Sequence, residues 1–109
     1  MGQPNTPDLL PGTLDLLILK TLQRGAMHGY GIAHDLKTVS DDVLQVGESS
    51  LYPALQRLLL NGWVSAEWGA SENNRRARYY TLTAAGKKQL ARERDQFQLM
   101  VGAIQKVLA

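Results

Sequence analysis

At 109 residues the chain has room for one domain with a small core, and 44% hydrophobic against 20% charged residues is an ordinary globular balance. The absence of cysteine excludes disulfides, thiolate metal sites and thiol nucleophiles, and fits a cytoplasmic location. The net charge of +2 hides a division: residues 1–72 hold four basic and eight acidic side chains, whereas 73–94 hold Arg75, Arg76, Arg78, Lys87, Lys88, Arg92 and Arg94 against Glu93 alone. A concentrated basic segment on a weakly charged chain suits a phosphate-rich partner.

The first residues, "MGQPNTPD" (1–8), read as a flexible arm, with Pro4 and Pro7 in it and no basic-then-apolar pattern of a signal peptide. Gly2 and Thr6 fit only the loose acylation pattern, and no polybasic stretch follows. A helix is expected next, with Thr13 as its N-cap after Pro11-Gly12, Asp15 in its first turn and Gly25 as its stop. Leu14, Leu16, Leu17, Ile18, Leu19 and Leu22 make it apolar nearly all round, so it is covered on more than one side, by the C-terminal helix or by a second copy. Asp15 and Lys20 interrupt the run, which is shorter than the ~20 residues a membrane span needs.

The segment 29–40 carries Ile32, Leu36 and Val39 at helical spacing, and Ser40-Asp41-Asp42 ends it. The preceding His28-Gly29-Tyr30-Gly31 is better read as a tight turn into this helix than as a nucleotide loop, since no third glycine or P-loop lysine accompanies it. "VLQV" (43–46) is expected to be a short extended piece. The third helix is expected to start at Ser50 as N-cap, which puts Pro53 in its first turn with the Ser49 carbonyl outside it. Leu51, Leu55, Leu58 and Leu59 form its core stripe; Tyr52, Pro53, Gln56 and Arg57 face away, and Asn61-Gly62 closes it.

"WVSAEW" (63–68) and "RYYTLT" (78–83) alternate as strands, joined by the polar loop 69–77 that bears Arg75 and Arg76. Thr83 caps a last helix running to the C-terminus. Leu90, Phe97, Val101, Ile104 and Leu108 form a heptad-like seam on it, with Arg94 in one position.

The predicted fold is therefore mainly α with a small β-hairpin: a winged helix-turn-helix over residues 9–83 and a C-terminal dimerisation helix over 84–109. An exposed helix N-terminus aims free N–H groups at phosphates and side chains at base edges, and a ribbon of arginines can follow the backbone or enter the minor groove. Ser49, Ser50, Tyr52, Pro53, Gln56 and Arg57 fill the first role, and Asn73, Asn74, Arg75, Arg76 and Arg78 the second. Tyr30 can offer its hydroxyl to a phosphate beside them. Arg78, on a strand, is the wing cation with the strongest structural alternative. The alternative class is a winged-helix protein-interaction module without a DNA role, which leaves the basic wing unexplained. Enzyme chemistry has little to work with: His28 and His34 are six apart, which is no helical ligand spacing, and no nucleophile turn is present. No catalytic residue, metal site or cofactor is expected.

"LLPGTLDLLILKTLQRGAMHGYGI", "GESSLYPALQRLLLNGWV" and "RRARYYTLTAAGKKQL" together resemble the PadR family of bacterial transcriptional regulators, in its short form with a single C-terminal helix, over about residues 9–95. The resemblance implies a homodimeric repressor of a palindromic operator, often released by a small ligand, with Ser50, Tyr52, Pro53 and Arg57 on the reading helix. It also implies that the last helix packs on the first helix of the other subunit, so Leu16, Leu19, Leu90, Phe97, Val101, Ile104 and Leu108 are the candidate dimerisation residues. A flat apolar effector between first and last helices would have Trp63, Trp68, Phe97 and Met100 as candidate walls. The sequence departs from the family pattern in two places: Leu59-Leu60-Asn61 replaces charged residues, which leaves Leu60 exposed or in an extra contact, and Ser49 stands where glycine is common.

Overall fold

Among residues 12–109, which the computed structural model describes, the order is α1 (Thr13–Leu22), β1 (Met27–His28), α2 (Gly29–Val39), α3 (Glu48–Leu60), β2 (Val64–Ala70), β3 (Arg76–Leu82) and α4 (Ala84–Leu108). The expected arm over residues 1–8 lies outside the described residues. Ile18, Leu19, Ile32, Leu51, Leu55 and Leu58 are the largest fully buried side chains; α2 and α3 each bury one face, while α1 is buried nearly all round between α2, α3, α4 and β3. The inner face of the sheet, Val64, Tyr80 and Leu82, closes the same core, and Leu90 of α4 completes it.

The hairpin is longer than the sequence suggests. Gly69 pairs with Ala77 and Ala70 with Arg76, and only Ser71–Arg75 remain as the loop. The Tyr79 ring lies beside Gly69, where a Cβ would stand 3.2 Å from it, and the Tyr79 hydroxyl donates to the Ala70 carbonyl at 2.8 Å. Asn74 sits at φ 59, a left-handed turn position that asparagine tolerates, and its N–H donates to the Ser71 carbonyl.

A two-residue strand without periodicity escaped the sequence reading. Met27 and His28 pair antiparallel with Tyr80 and Tyr79, so the sheet has three strands in the order β1-β3-β2. His28 then caps α2: its Nδ1 accepts the Gly31 N–H at 2.9 Å. The expected extended piece at 43–46 forms no ladder, and Val39 is exposed at the end of α2 rather than in the core.

Two helix starts also differ from expectation. Gly12, left-handed at φ 83, is the N-cap of α1, and Thr13 is its first helical residue. Gly47 is the N-cap of α3, so Ser49 and Ser50 lie within its first turn and Pro53 in its second. The helix continues through Pro53 because the carbonyl left without a donor belongs to Ser49, an exposed residue that water can reach. Thr83 caps α4 as expected, its hydroxyl accepting from Gly86 N and donating to the Gly62 carbonyl.

That cap brings α4 onto the end of α3, and the approach is close. A Cβ at Gly86 would stand 2.0 Å from the Trp63 carbonyl oxygen, a backbone atom that cannot move aside. Gly102, on the same helix, has open space at its Cβ position. Gly86→Ala is expected to cost at least ~2 kcal/mol and to lower Tm by about 10 °C, whereas Gly102→Ala raises stability by about 0.5–1 kcal/mol. Thermal unfolding followed by circular dichroism compares the two; equal effects would contradict the packing described.

Candidate nucleic-acid interface

The pairing of β1 with β3 fixes the start of α2 beside the wing, and a groove opens between them. It encloses about 930 Å³ and is lined on the α2 side by His28, Tyr30 and His34, and on the wing side by Trp68, Asn73, Arg75, Arg76 and Arg78. Tyr52 of α3 also lines it. A Cβ at Gly29 would meet the Tyr52 hydroxyl and ring at 2.9–3.1 Å, so only glycine lets Tyr52 lie across the start of α2. Tyr30 is 76% exposed at that start and stacks with His34 one turn on, their planes 15° apart.

Among the described residues, the wing arginines are not neutralised. Among the described residues, ion pairs join Arg24 to Asp35 and Arg57 to Asp15, while Arg75, Arg76 and Arg78 have no carboxylate in salt-bridge reach. Aromatic faces hold two of them instead: the Arg76 guanidinium lies 5.0 Å from the Trp68 ring centroid and Arg78 lies 5.9 Å from that of Tyr80. The basic segment recognised in the sequence thus divides in space. Its three wing arginines line the groove; Lys87, Lys88, Arg92 and Arg94 stand exposed on α4 and do not.

On α3, Ser49, Ser50, Tyr52, Pro53 and Gln56 are all exposed, opposite buried Leu51, Ala54, Leu55 and Leu58. No side chain caps this helix, so its first turn stays open to an approaching phosphate. Glu48 in that turn favours the helix dipole but opposes an anion.

Arg57, for which pairing with a surface acid is the alternative to DNA contact, is paired with Asp15. Its Nη2 and Nε donate to the two Asp15 carboxylate oxygens at 2.7 and 3.3 Å, tying α3 to α1 across 42 positions of sequence. Hydrogen bonding to Asp15, and then its charge, raise the Arg57 pKa further above the ordinary value. With its arginine half-exposed, the pair contributes at most about 1 kcal/mol and engages the Arg57 guanidinium on α1. Asn74 is explained by its turn geometry, and Asn73 remains on the groove.

The groove, with Tyr52 of α3 and the wing arginines along it, brings these elements side by side, and comparison with known proteins shows what they belong to. The model of the transcriptional regulator PadR-like family matches residues 18–92. The chain belongs to the PadR-like family.

Similar solved structures include a transcriptional regulator from Clostridium thermocellum, 30% identical, covering 87% of this chain and 92% of that one with a TM-score of 0.80. A PadR family transcription regulator from Clostridium difficile R20291 is 25% identical, covering 90% of this chain and all of that one, with a TM-score of 0.74. A Lysinibacillus sphaericus protein is 29% identical over 84 residues, 77% of each chain. PadR-like proteins are DNA-binding regulators of transcription, not enzymes, and this chain is a winged-helix DNA-binding regulator of that family. No helix among its described residues is long and apolar enough to cross a membrane.

His28 carries this arrangement without any expected contact to DNA; the signal in the sequence was a side chain able to cap directly before a helix-starting glycine. His28→Ala is expected to cost about 1 kcal/mol in urea unfolding, and His28→Asn, which keeps a capping acceptor, to recover most of it. Equal losses in both variants would show that the ring's packing against Tyr79 matters and the cap does not.

Proposed function

We propose that this PadR-like regulator represses transcription as a homodimer on a palindromic operator. The single observation that carries the dimer is the state of α4 beyond the domain. Leu90 is the last buried residue of that helix, yet apolar side chains continue along the same face: Phe97, Met100, Val101, Ile104 and Leu108. Ile104 is 42% exposed, Met100 60% and Leu108 79%. A stripe of that length left in water is unfavourable unless a second stripe covers it, and a second copy supplies an identical one.

Within one chain, Leu16, Leu19 and Leu90 are buried, with α4 packed on α1 of the same chain. They support the interface from beneath, and its surface is assigned to Phe97, Val101, Ile104 and Leu108. Two α3 helices held by such a pair would enter successive major grooves about 34 Å apart, with the wings on the flanking backbone. The exposed Tyr30, Ser49, Ser50, Tyr52, Pro53 and Gln56 are the reading and backbone-gripping residues of this proposal, and Asn73, Arg75, Arg76 and Arg78 those of the wing.

The effector belongs to the same reading. Trp63, Trp68, Phe97 and Met100 do not gather in one place: the groove that Trp68 lines includes none of the other three, and Trp63 packs half-buried against the core. An apolar effector would lie between the two copies against Phe97 and Met100, and its release of DNA would come from a change in the spacing of the two α3 helices. The protein-interaction reading has no observation in its favour, since it leaves three unneutralised arginines beside an open groove without a partner.

Fluorescence anisotropy with the duplex upstream of the protein's own gene, against a scrambled duplex, tests the function, with solution mass measured in parallel. Tighter binding of the native duplex, two chains per duplex, is expected. Equal binding to both would overturn operator recognition. Replacing Arg75 and Arg76 together by alanine should flatten the log–log salt dependence by about two per monomer, at roughly 0.9 per phosphate contact. The pair Phe97→Asp and Ile104→Asp should leave a folded monomer by sedimentation and weaken operator binding at least tenfold. A dimer that survives both charges would move the interface elsewhere.

A further inference from the structure

Trp68 has no place in the core and no role in the DNA-facing set read from the sequence. It is 61% exposed on β2, and such exposure of an indole in water is costly unless something uses it. Its direct cross-strand partner is Arg78, and the Arg76 guanidinium lies over its ring at 5.0 Å. Both Trp68 and Arg76 line the groove between wing and α2. On the other face of the hairpin, the Tyr79 hydroxyl holds the Ala70 carbonyl, opposite Arg76 in the register. The backbone that carries Arg76 is therefore braced from one side, and its side chain from the other.

An unsupported arginine on a loop flank samples many rotamers, and binding a phosphate freezes them. A guanidinium already resting on an indole has lost much of that freedom beforehand and keeps its outer N–H groups available. Because the ring attracts a cation without neutralising it, Arg76 keeps its full charge for the ligand, which a carboxylate partner would cancel. The groove has net positive charge from Arg75, Arg76 and Arg78 against Glu72, so its complement is a phosphodiester strand.

We propose that Trp68 is a positioning residue for DNA binding: its indole holds Arg76 over the groove between wing and α2, preset for a phosphate of the strand lying there. The inference rests on the reading of this face as the DNA surface, and the test separates the two. Phosphate contacts are independent of sequence, so the probe is a mixed-sequence duplex of about 30 base pairs, titrated by anisotropy over a range of salt.

Four variants are compared: Trp68→Ala, Trp68→Phe, Arg76→Ala and the double Trp68→Ala/Arg76→Ala, each checked for an unchanged fold by circular dichroism. Trp68→Ala should weaken binding about fivefold and lower the salt slope toward that of Arg76→Ala, although it removes no charge. The double variant should bind no worse than Arg76→Ala alone, because the indole acts through the arginine. Trp68→Phe, which keeps an aromatic face, should stay within about twofold of the parent. Additive losses, or a Trp68→Ala variant with the parent's affinity and slope, would overturn the positioning role while leaving the DNA surface intact. A parent chain that binds no duplex even at low salt would sink the DNA reading of this face, and this inference with it.

Discussion

Much of this molecule depends on β3 being paired on both sides. Toward β2 it makes the wing; toward Met27 and His28 it fixes where α2 begins. A hairpin alone would be a marginal appendage on a three-helix domain, free to swing about Trp63. With two residues of β1 added, Tyr79 and Tyr80 are held in register with the chain that enters α2, and the angle between wing and helix is set. His28 belongs to the strand by its backbone and caps the helix by its ring, so the two walls of the groove share one residue.

The same economy explains the glycines that matter. Gly29 is absent of side chain where Tyr52 crosses the start of α2, and Gly86 where α4 crosses the Trp63 carbonyl. Each permits one element to lie against the next at backbone distance. The first shapes the groove between α2 and the wing, and the second sets the direction in which α4 leaves the domain. Together they link the placement of the reading helix to the axis along which a second copy would pair.

The helices were legible in the sequence because their apolar spacing is strong, and the wing because alternation and turn residues flank it. Boundaries were less so. Gly47-Glu48-Ser49-Ser50 offers three residues able to cap a helix, and proline's preference for a first turn favoured Ser50; the structure has Gly47 as the cap and carries Pro53 within the helix on an exposed face. The expected loop 69–77 is partly strand, because Gly69 and Ala77 leave room for Tyr79 to brace the hairpin. Arg57 was legible as exposed and able to pair with an acid, but its partner was not, since nothing local joins it to Asp15 on another helix. β1 is too short for any periodicity. Of the two places open to Leu60, exposed or in an extra contact, the chain shows the first. Charge located the wing arginines correctly, but it could not tell that Trp68 and Tyr80 would hold two of them.

Hydrogen–deuterium exchange of the protein, free and with duplex DNA, tests most directly that one continuous surface of this PadR-like regulator meets DNA. Protection is expected together in three stretches distant in sequence: 27–34 at the start of α2, 48–57 on α3 and 71–78 on the wing. Protection confined to α4, or present on the wing without α2 and α3, would contradict a surface built around the β1–β3 pairing.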